Sequence, residues 1–209
     1  LTKVDSMEID RTGEYPQELI DGLAEMGAFG MKIPKEYGGL GFTQAEYDRV
    51  MKLLGSVDGN VTALLSAHQS IGVPSPLKTF GTDEQKKLFL PRCAKGAITA
   101  FSLTEPQVGS DPSSLKTTAE LTPEGDAYII NGEKLWCTNG TLAELLVVMT
   151  CNPETKKIST FIVDTKTEGV KVEKRCHFMG LKALANAAIG GHRECVRALL
   201  DAGADLRSV

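Results

Sequence analysis

The hydrophobic pattern of this 209-residue chain changes near Ala97, and that change limits the folds open to it. Before Ala97, apolar residues recur at helical spacing, as at Leu19 and Leu23. In the same part, Thr43 and Thr82 each stand three residues before a Glu or Gln, a pattern typical of helix starts. After Ala97, short apolar and β-branched runs alternate with turn residues, which predicts strands. The sequence therefore predicts an α+β protein with a helical domain first and a β domain second.

The predicted elements divide the chain into three parts. A helical domain is expected over 1–96, with one helix over 61–71 and another that ends at Pro91. A β domain is expected over 97–182, and a short helical tail over 183–209. The dipeptide Asn131-Gly132 predicts a two-residue hairpin, and the regular spacing of the strands indicates an antiparallel barrel or sandwich. The candidate strands are 98–103, 117–121, 127–130, 133–138, 145–150, 159–164 and 170–173.

Composition excludes several classes of function. The 23 basic and 27 acidic residues give a net charge of −4, which argues against a nucleic-acid-binding protein. No apolar run approaches the roughly 20 residues that a membrane-spanning helix needs. The five cysteines form no C-x-x-C pair and the three histidines have no ligand spacing, so neither a disulfide framework nor a metal site is expected.

Two segments carry residues suited to ligand binding. After the first strand, the turn from Thr104 to Ser110 offers two hydroxyls and several backbone N–H groups, which suit a polar ligand but equally suit an ordinary surface turn. Further on, alternation along a strand would put Trp136 and Thr138 on one face. A flat heteroaromatic ligand would fit that face, and a core tryptophan is the alternative.

The motifs in these segments resemble those of the acyl-CoA dehydrogenase family. The resemblance covers roughly residues 14–184, and its motifs occur in the family's order. They are Pro34-Lys35-Glu36-Tyr37-Gly38-Gly39-Leu40-Gly41, Phe80-Gly81-Thr82-Asp83-Glu84-Gln85, Thr104-Glu105-Pro106 with Gly109-Ser110-Asp111, and Gly132-Glu133-Lys134-Leu135-Trp136-Cys137-Thr138-Asn139-Gly140.

The resemblance implies that the middle domain binds FAD. Residues 101–104 would face the flavin ring, and Gly109 and Ser110 would lie near the pyrophosphate. The thioester end of an acyl-CoA substrate would also pass close to Ser110. The Thr138 hydroxyl would lie near the reactive flavin nitrogen. The implied FAD-binding residues are Phe101, Leu103, Thr104, Gly109, Ser110, Trp136, Cys137 and Thr138.

The resemblance also implies a reaction, the oxidation of the α–β bond of an acyl-CoA to a trans-enoyl-CoA. In the family, a carboxylate on a C-terminal helical bundle removes the α-proton, and the same bundle makes most of the oligomer contacts. No such bundle follows here, so no catalytic residue is assigned, and weak or no flavin binding and no turnover are expected of the chain alone. Bacterial cytoplasm and mitochondrial matrix both fit the sequence.

The tail departs from the family and resembles a single ankyrin repeat. The turn at Gly191-His192 and the closing Gly203-Ala204-Asp205 carry this resemblance. An alternative function follows from it, a non-enzymatic remnant of the enzyme with an interaction tail. An artificial or mispredicted junction near residues 180–188 is a third interpretation.

Overall fold

The computed structural model describes residues 4–173, and the first half of this range is helical. Thr43 and Thr82 each form a capping box with the Glu or Gln three residues on, which confirms both predicted helix starts. Gly27 takes a left-handed conformation (φ 73°) just after the second helix, a conformation in which glycine commonly ends helices. The helices are α1 Ser6–Thr12, α2 Gln17–Glu25, α3 Gln44–Gly55, α4 Gly59–Ser66, α5 Pro74–Phe80 and α6 Asp83–Ala94.

Two of the helix predictions are wrong in detail. The helix expected over 61–71 is α only to Ser66 and continues as a π-helix over Ala67–Ile71. There the backbone of Gly72 lies so close to Thr99 that any side chain at position 72 would overlap the Thr99 hydroxyl. Helix α6 does not end at Pro91 but continues to Ala94, because a proline in the last turn removes only one helical hydrogen bond.

The second half of the range forms one mixed five-stranded sheet around β4. Its neighbours β1 and β5 run parallel and antiparallel to it, with Leu145 opposite both Thr99 and Asp164. Strand β2 joins the far end of β4 in parallel, at Thr118 opposite Cys151, and β3 pairs antiparallel with β2. The strands are β1 Thr99–Ser102, β2 Thr118–Leu121, β3 Tyr128–Asn131, β4 Leu145–Cys151 and β5 Ile158–Asp164.

The predicted antiparallel barrel or sandwich is therefore wrong. That prediction assumed that each strand pairs with its neighbour in sequence, which holds only for β2–β3 and β4–β5. Residues 132–144 instead carry the chain from β3 back to β1, so that β4 lies parallel to β1. The strands expected over 133–138 and 170–173 do not form. Positive φ angles at Trp136 (55°) and Asn139 (66°) are incompatible with a continuous strand there.

The hairpin predicted at Asn131-Gly132 is also wrong. Asn131 is the last residue of β3, and the turn between β2 and β3 lies at Pro123-Glu124-Gly125, where Gly125 has a positive φ (76°). Gly132 serves a different purpose, because a Cβ atom at this position would overlap Thr117. The glycine thus allows a close approach of two chain segments.

One hydrophobic cluster spans the helices and the sheet. It joins the buried side chains of Ile33, Val73 and Leu90 to Leu145 and Val147 of β4. Residues 4–173 accordingly pack as one compact unit, and the boundary between 96 and 97 remains a prediction about domains. The predicted helical tail over 183–209 lies outside the described residues. Within residues 4–173, no helix is long and apolar enough to cross a bilayer.

A buried histidine also fastens the helices to β1. The ring of His68, in the π-helix, contacts the Phe29 carbonyl oxygen through Nε2 (3.0 Å) and accepts the Thr99 N–H at Nδ1 (3.2 Å). Because Nδ1 accepts, Nε2 carries the proton and the imidazole is neutral. Burial lowers the pKa of His68 to about 4, against a weaker opposing effect of the Phe29 carbonyl.

This histidine should make the fold sensitive to mild acid. The unfolded chain binds a proton at His68 below about pH 6.5 and the folded chain only near 4, so stability falls as the pH drops through that interval. The expected loss is about 2 kcal/mol between pH 7 and 5, and about 3 kcal/mol by pH 4. Urea unfolding at pH 7, 6 and 5, with the His68 ring resonances followed by NMR, measures it. Titration of the folded-state ring near pH 6.5 would contradict the prediction, and His68→Gln should flatten the dependence.

A second prediction concerns the turn at Asn139. Its side-chain amide donates to the carbonyl oxygens of Leu64 (3.0 Å) and Thr99 (3.4 Å), and its φ is left-handed. Asn139→Ala and Asn139→Gly both lose these bonds, at about 1–2 kcal/mol. Both variants keep the left-handed φ, which strains alanine but not glycine, so the glycine variant should be more stable by roughly 0.5–1 kcal/mol in chemical denaturation. Equal stability of the two variants would show that the backbone is not strained.

Candidate functional site

The two segments singled out in the sequence lie side by side. The Leu135 N–H donates to the Thr104 carbonyl oxygen at 2.8 Å, and the Cys137 thiol contacts the Phe101 carbonyl oxygen at 3.4 Å. The Cys137 contact lies on β1, and the Leu135 contact lies two residues beyond the end of that strand. The structure thus brings Phe101, Leu103 and Thr104 together with the segment that carries Trp136, Cys137 and Thr138.

Trp136 is not a core residue. Its side chain is 56% exposed and Thr138, two residues on, is also exposed, whereas Leu135 is bonded to Thr104 just beyond β1 and Cys137 to Phe101 of β1. The predicted shared face of Trp136 and Thr138 depended on the alternation of side chains along a strand. The left-handed φ of Trp136 is incompatible with a strand here, so that alternation does not apply. Both side chains are nevertheless at the surface of the described unit, so the alternative of a core tryptophan is excluded.

The Cys137 side chain points away from that surface. Its Sγ lies 3.1 Å from the buried Ser102 hydroxyl, and burial raises the pKa of the thiol, with the Ser102 bond opposing that effect. The thiol is therefore neutral and has its partners within the protein. Any contact of Cys137 with a ligand would be made by its backbone. A role of Cys137 in ligand binding stays a prediction.

The turn after β1 is a short two-residue loop. Glu105 and Val108 exchange backbone hydrogen bonds of 2.9 and 3.1 Å, which leaves Pro106 and Gln107 exposed at the tip. Val108 is buried, so Gly109 and Ser110 emerge at the surface directly after an anchored residue. A Cβ atom at Gly109 would meet nothing within 4 Å, and no positive φ requires glycine there. Nothing within the described chain explains a glycine at this position.

Glu105 is the residue whose importance the sequence analysis missed. Its side chain is 4% exposed and accepts four hydrogen bonds, one of them within an ion pair with Lys134. Burial by itself would raise the pKa of this carboxyl, but the bonds from Lys134, Thr117 and Lys116 prevail and lower it to about 2. In the sequence, Glu105 and Lys134 appear only as members of two separate motifs, and nothing in their spacing predicts that they meet.

The Glu105 carboxylate is fully occupied as a hydrogen-bond acceptor. Oε1 accepts from Lys134 Nζ (2.8 Å) and from the hydroxyl and N–H of Thr117 (2.6 and 3.0 Å), and Oε2 accepts from the Lys116 N–H (2.6 Å). A carboxylate with so low a pKa and so many donors is a poor general base. Within residues 4–173, no group of three or more His, Cys, Asp and Glu side chains is arranged to hold a metal ion.

Comparison with known families accounts for almost the whole chain. The N-terminal domain of acyl-CoA dehydrogenases matches residues 3–97, and the middle domain of the same family matches residues 100–191. The middle-domain match continues past residue 183, where the ankyrin-like tail was expected to begin. The ankyrin-like tail expected over 183–209 is therefore not supported.

Individual relatives agree with the family match. The chain is 51% identical over 197 residues to the probable acyl-CoA dehydrogenase FadE10 of Mycobacterium tuberculosis, covering 92% of this chain and 30% of that protein. It is 40% identical over 177 residues to the human mitochondrial very long-chain specific acyl-CoA dehydrogenase, covering 80% and 27%.

A solved structure gives the same result. The acyl-CoA dehydrogenase of Bacillus anthracis, complexed with FAD, superposes with a TM-score of 0.72 at 36% identity, covering 78% of this chain and 28% of that one. The chain thus spans less than a third of the length of these relatives. With both domain matches in sequence order and a matching fold, the chain belongs to the acyl-CoA dehydrogenase family.

Proposed function

We propose that this chain forms the flavin-binding side of an FAD-dependent acyl-CoA dehydrogenase. The observation that carries the proposal is the pairing of the two motif segments, with the Leu135 N–H on the Thr104 carbonyl oxygen. Through this pairing, residues from two distant parts of the sequence present backbone groups, hydroxyls and an indole on neighbouring stretches of surface. A flavin needs such a combination of stacking surface and hydrogen-bond donors.

The surroundings of the motif residues fit a bound cofactor. Gly109 has open space on its side-chain side and no conformational need to be glycine, as expected where a ligand approaches the backbone closely. Ser110 and Thr138 have exposed side chains, and the half-exposed indole of Trp136 offers a flat apolar surface. We assign FAD contacts to Phe101, Leu103, Thr104, Gly109, Ser110, Trp136, Cys137 and Thr138.

The proposed reaction divides the work between cofactor and protein. FAD, when bound, accepts a hydride from the β-carbon of the acyl-CoA. Thr104 and Thr138 would hold the ring by hydrogen bonds, and Ser110 would guide the thioester end of the substrate. Glu105 is committed to its own network, so we assign the base that removes the α-proton to a region outside residues 4–173.

The alternative of a non-enzymatic remnant with an ankyrin-like tail is not favoured. It depended on a change of fold near residue 183, and the middle-domain match runs through that position to residue 191. The weak flavin binding expected from sequence alone also loses support, because residues 101–138 already bring the motif segments together.

Flavin binding can be tested with the chain's single tryptophan. Titration with FAD should quench Trp136 fluorescence to saturation, because the indole lies in the proposed site. Thr138→Val should weaken FAD binding about fivefold, the loss of one hydrogen bond of roughly 1 kcal/mol.

Thr141→Val is the matched control, since Thr141 is exposed in the same turn but outside the assigned contacts. It should bind FAD like the unaltered chain. Absence of saturable quenching in the unaltered protein, together with unchanged fluorescence anisotropy of FAD, would refute the proposed site.

A further prediction concerns the base that removes the α-proton. Mixing the flavin-loaded chain with an acyl-CoA should leave the absorption band of oxidised FAD unchanged, because Glu105 is committed to four hydrogen bonds and we assign the base to a region outside residues 4–173. Loss of that band on addition of acyl-CoA would show that a carboxylate of this chain supplies the base. Photoreduction of the same sample checks that the bound flavin can be reduced.

A further inference from the structure

The buried Glu105–Lys134 ion pair connects the three contact segments of the proposed flavin site. These segments are residues 101–104, 109–110 and 136–138. Lys134 Nζ lies 2.8 Å from the Glu105 carboxylate and donates at 3.1 Å to the Leu103 carbonyl oxygen, so it joins the 132–140 segment to the end of β1. The next residue, Leu135, bonds Thr104. These adjacent bonds fix the register between the two motif segments.

The same carboxylate fixes the turn that carries Gly109 and Ser110. The Glu105 backbone is paired with Val108 in both directions, and its side chain is bonded to Lys116 and Thr117 at the entry to β2. The turn is therefore held at its base by one residue. Moving the Glu105 side chain would move residues 103–104 and 109–110 relative to Trp136 and Thr138.

The pair also determines the local charge. The side chains of Glu105 and Lys134 are 4% and 12% exposed, so water screens them weakly. Together they contribute no net charge one residue from Thr104. Removing either partner alone leaves a buried, unpaired charge beside the motif segments. That charge is positive if Glu105 is removed and negative if Lys134 is removed.

We propose that Glu105 and Lys134 are positioning residues for the flavin site, and that their pairing both sets the register of the three contact segments and keeps their surroundings electrically neutral. This inference rests on the proposed function for its flavin readouts. Its structural readouts use the protein without cofactor.

The variants Glu105→Gln and Lys134→Met separate charge from shape, because both replacements are close in size to the native side chains. Without FAD, each should increase the hydrogen-exchange rate of the Leu135 amide at least tenfold, as the register loosens. With FAD, each should weaken binding by at least tenfold. Lys134→Arg keeps the charge and should restore most of the affinity.

The reduction potential of bound FAD distinguishes the proposal from a merely structural role. Glu105→Gln leaves an unpaired cation and should shift the potential upward, because reduction adds negative charge to the flavin. Lys134→Met leaves an unpaired anion and should shift it downward. The double variant should return close to the original potential even where its affinity remains low.

Asp164→Asn is the control for loss of an ion pair. It breaks the contact of Arg92 with Asp164 (3.1 Å), which joins α6 to β5 and touches neither motif segment. This variant should leave Leu135 exchange, FAD affinity and potential unchanged.

The outcomes separate the two proposals. Unaltered Leu135 exchange in both Glu105→Gln and Lys134→Met overturns the positioning role, whether or not FAD binds. Shifts of potential in one direction for both variants overturn the charge argument. Failure of the unaltered chain to bind FAD rejects the proposed function alone, and the exchange measurements then still decide the positioning role. If Glu105→Gln does not fold, Lys134→Met compared with Lys134→Arg gives the same test.

Discussion

The surface that carries the motif residues depends on the hydrogen bonds between β1 and the segment that returns from β3. Strand β1 is only four residues long and pairs with β4 along one edge. The 132–140 segment contacts backbone groups that β4 leaves unpaired, through Cys137 at the Phe101 carbonyl oxygen and Asn139 at the Thr99 carbonyl oxygen. Covering the edge with an irregular segment instead of a strand leaves alternate side chains free to face outward. Positive φ angles at Trp136 and Asn139 give this segment its irregular backbone.

Much of the helical half follows from local signals. Both capping boxes form because a threonine and the Glu or Gln three residues later can satisfy each other's backbone donors regardless of what lies around them. Five of the seven predicted strands exist within a residue or two, since β-branched runs between turns carry their own preference. The pairing of those strands was not predictable in this way, because the parallel contact of β1 with β4 is set by residues far apart in sequence. The hairpin predicted at Asn131-Gly132 does not form, for the same reason. Gly132 allows a close approach to Thr117, which is distant in sequence, and does not form a turn of its own.

The candidate site shows a similar division. The motifs indicated which segments matter, and the structure brings them together. The buried Glu105–Lys134 pair could not be predicted from the sequence. A lone Glu and a lone Lys in polar stretches are usually solvated, and nothing in their spacing indicates that they share an environment. Only the fold shows that Glu105 accepts four bonds while Ser110 and Thr138 remain at the surface. Residues that hold a site are therefore harder to predict from one sequence than residues that line it.

The parallel pairing of β1 with β4 also orders events in time. A chain that emerges from the ribosome completes its helices and β1 well before Leu145 and Val147 are available, yet these two residues complete the hydrophobic cluster that the helices share with the sheet. At ordinary rates of translation that interval lasts seconds, during which both edges of β1 lack their final partners. The nascent protein must therefore pass through a stage in which β1 is an unpaired strand open to misassociation.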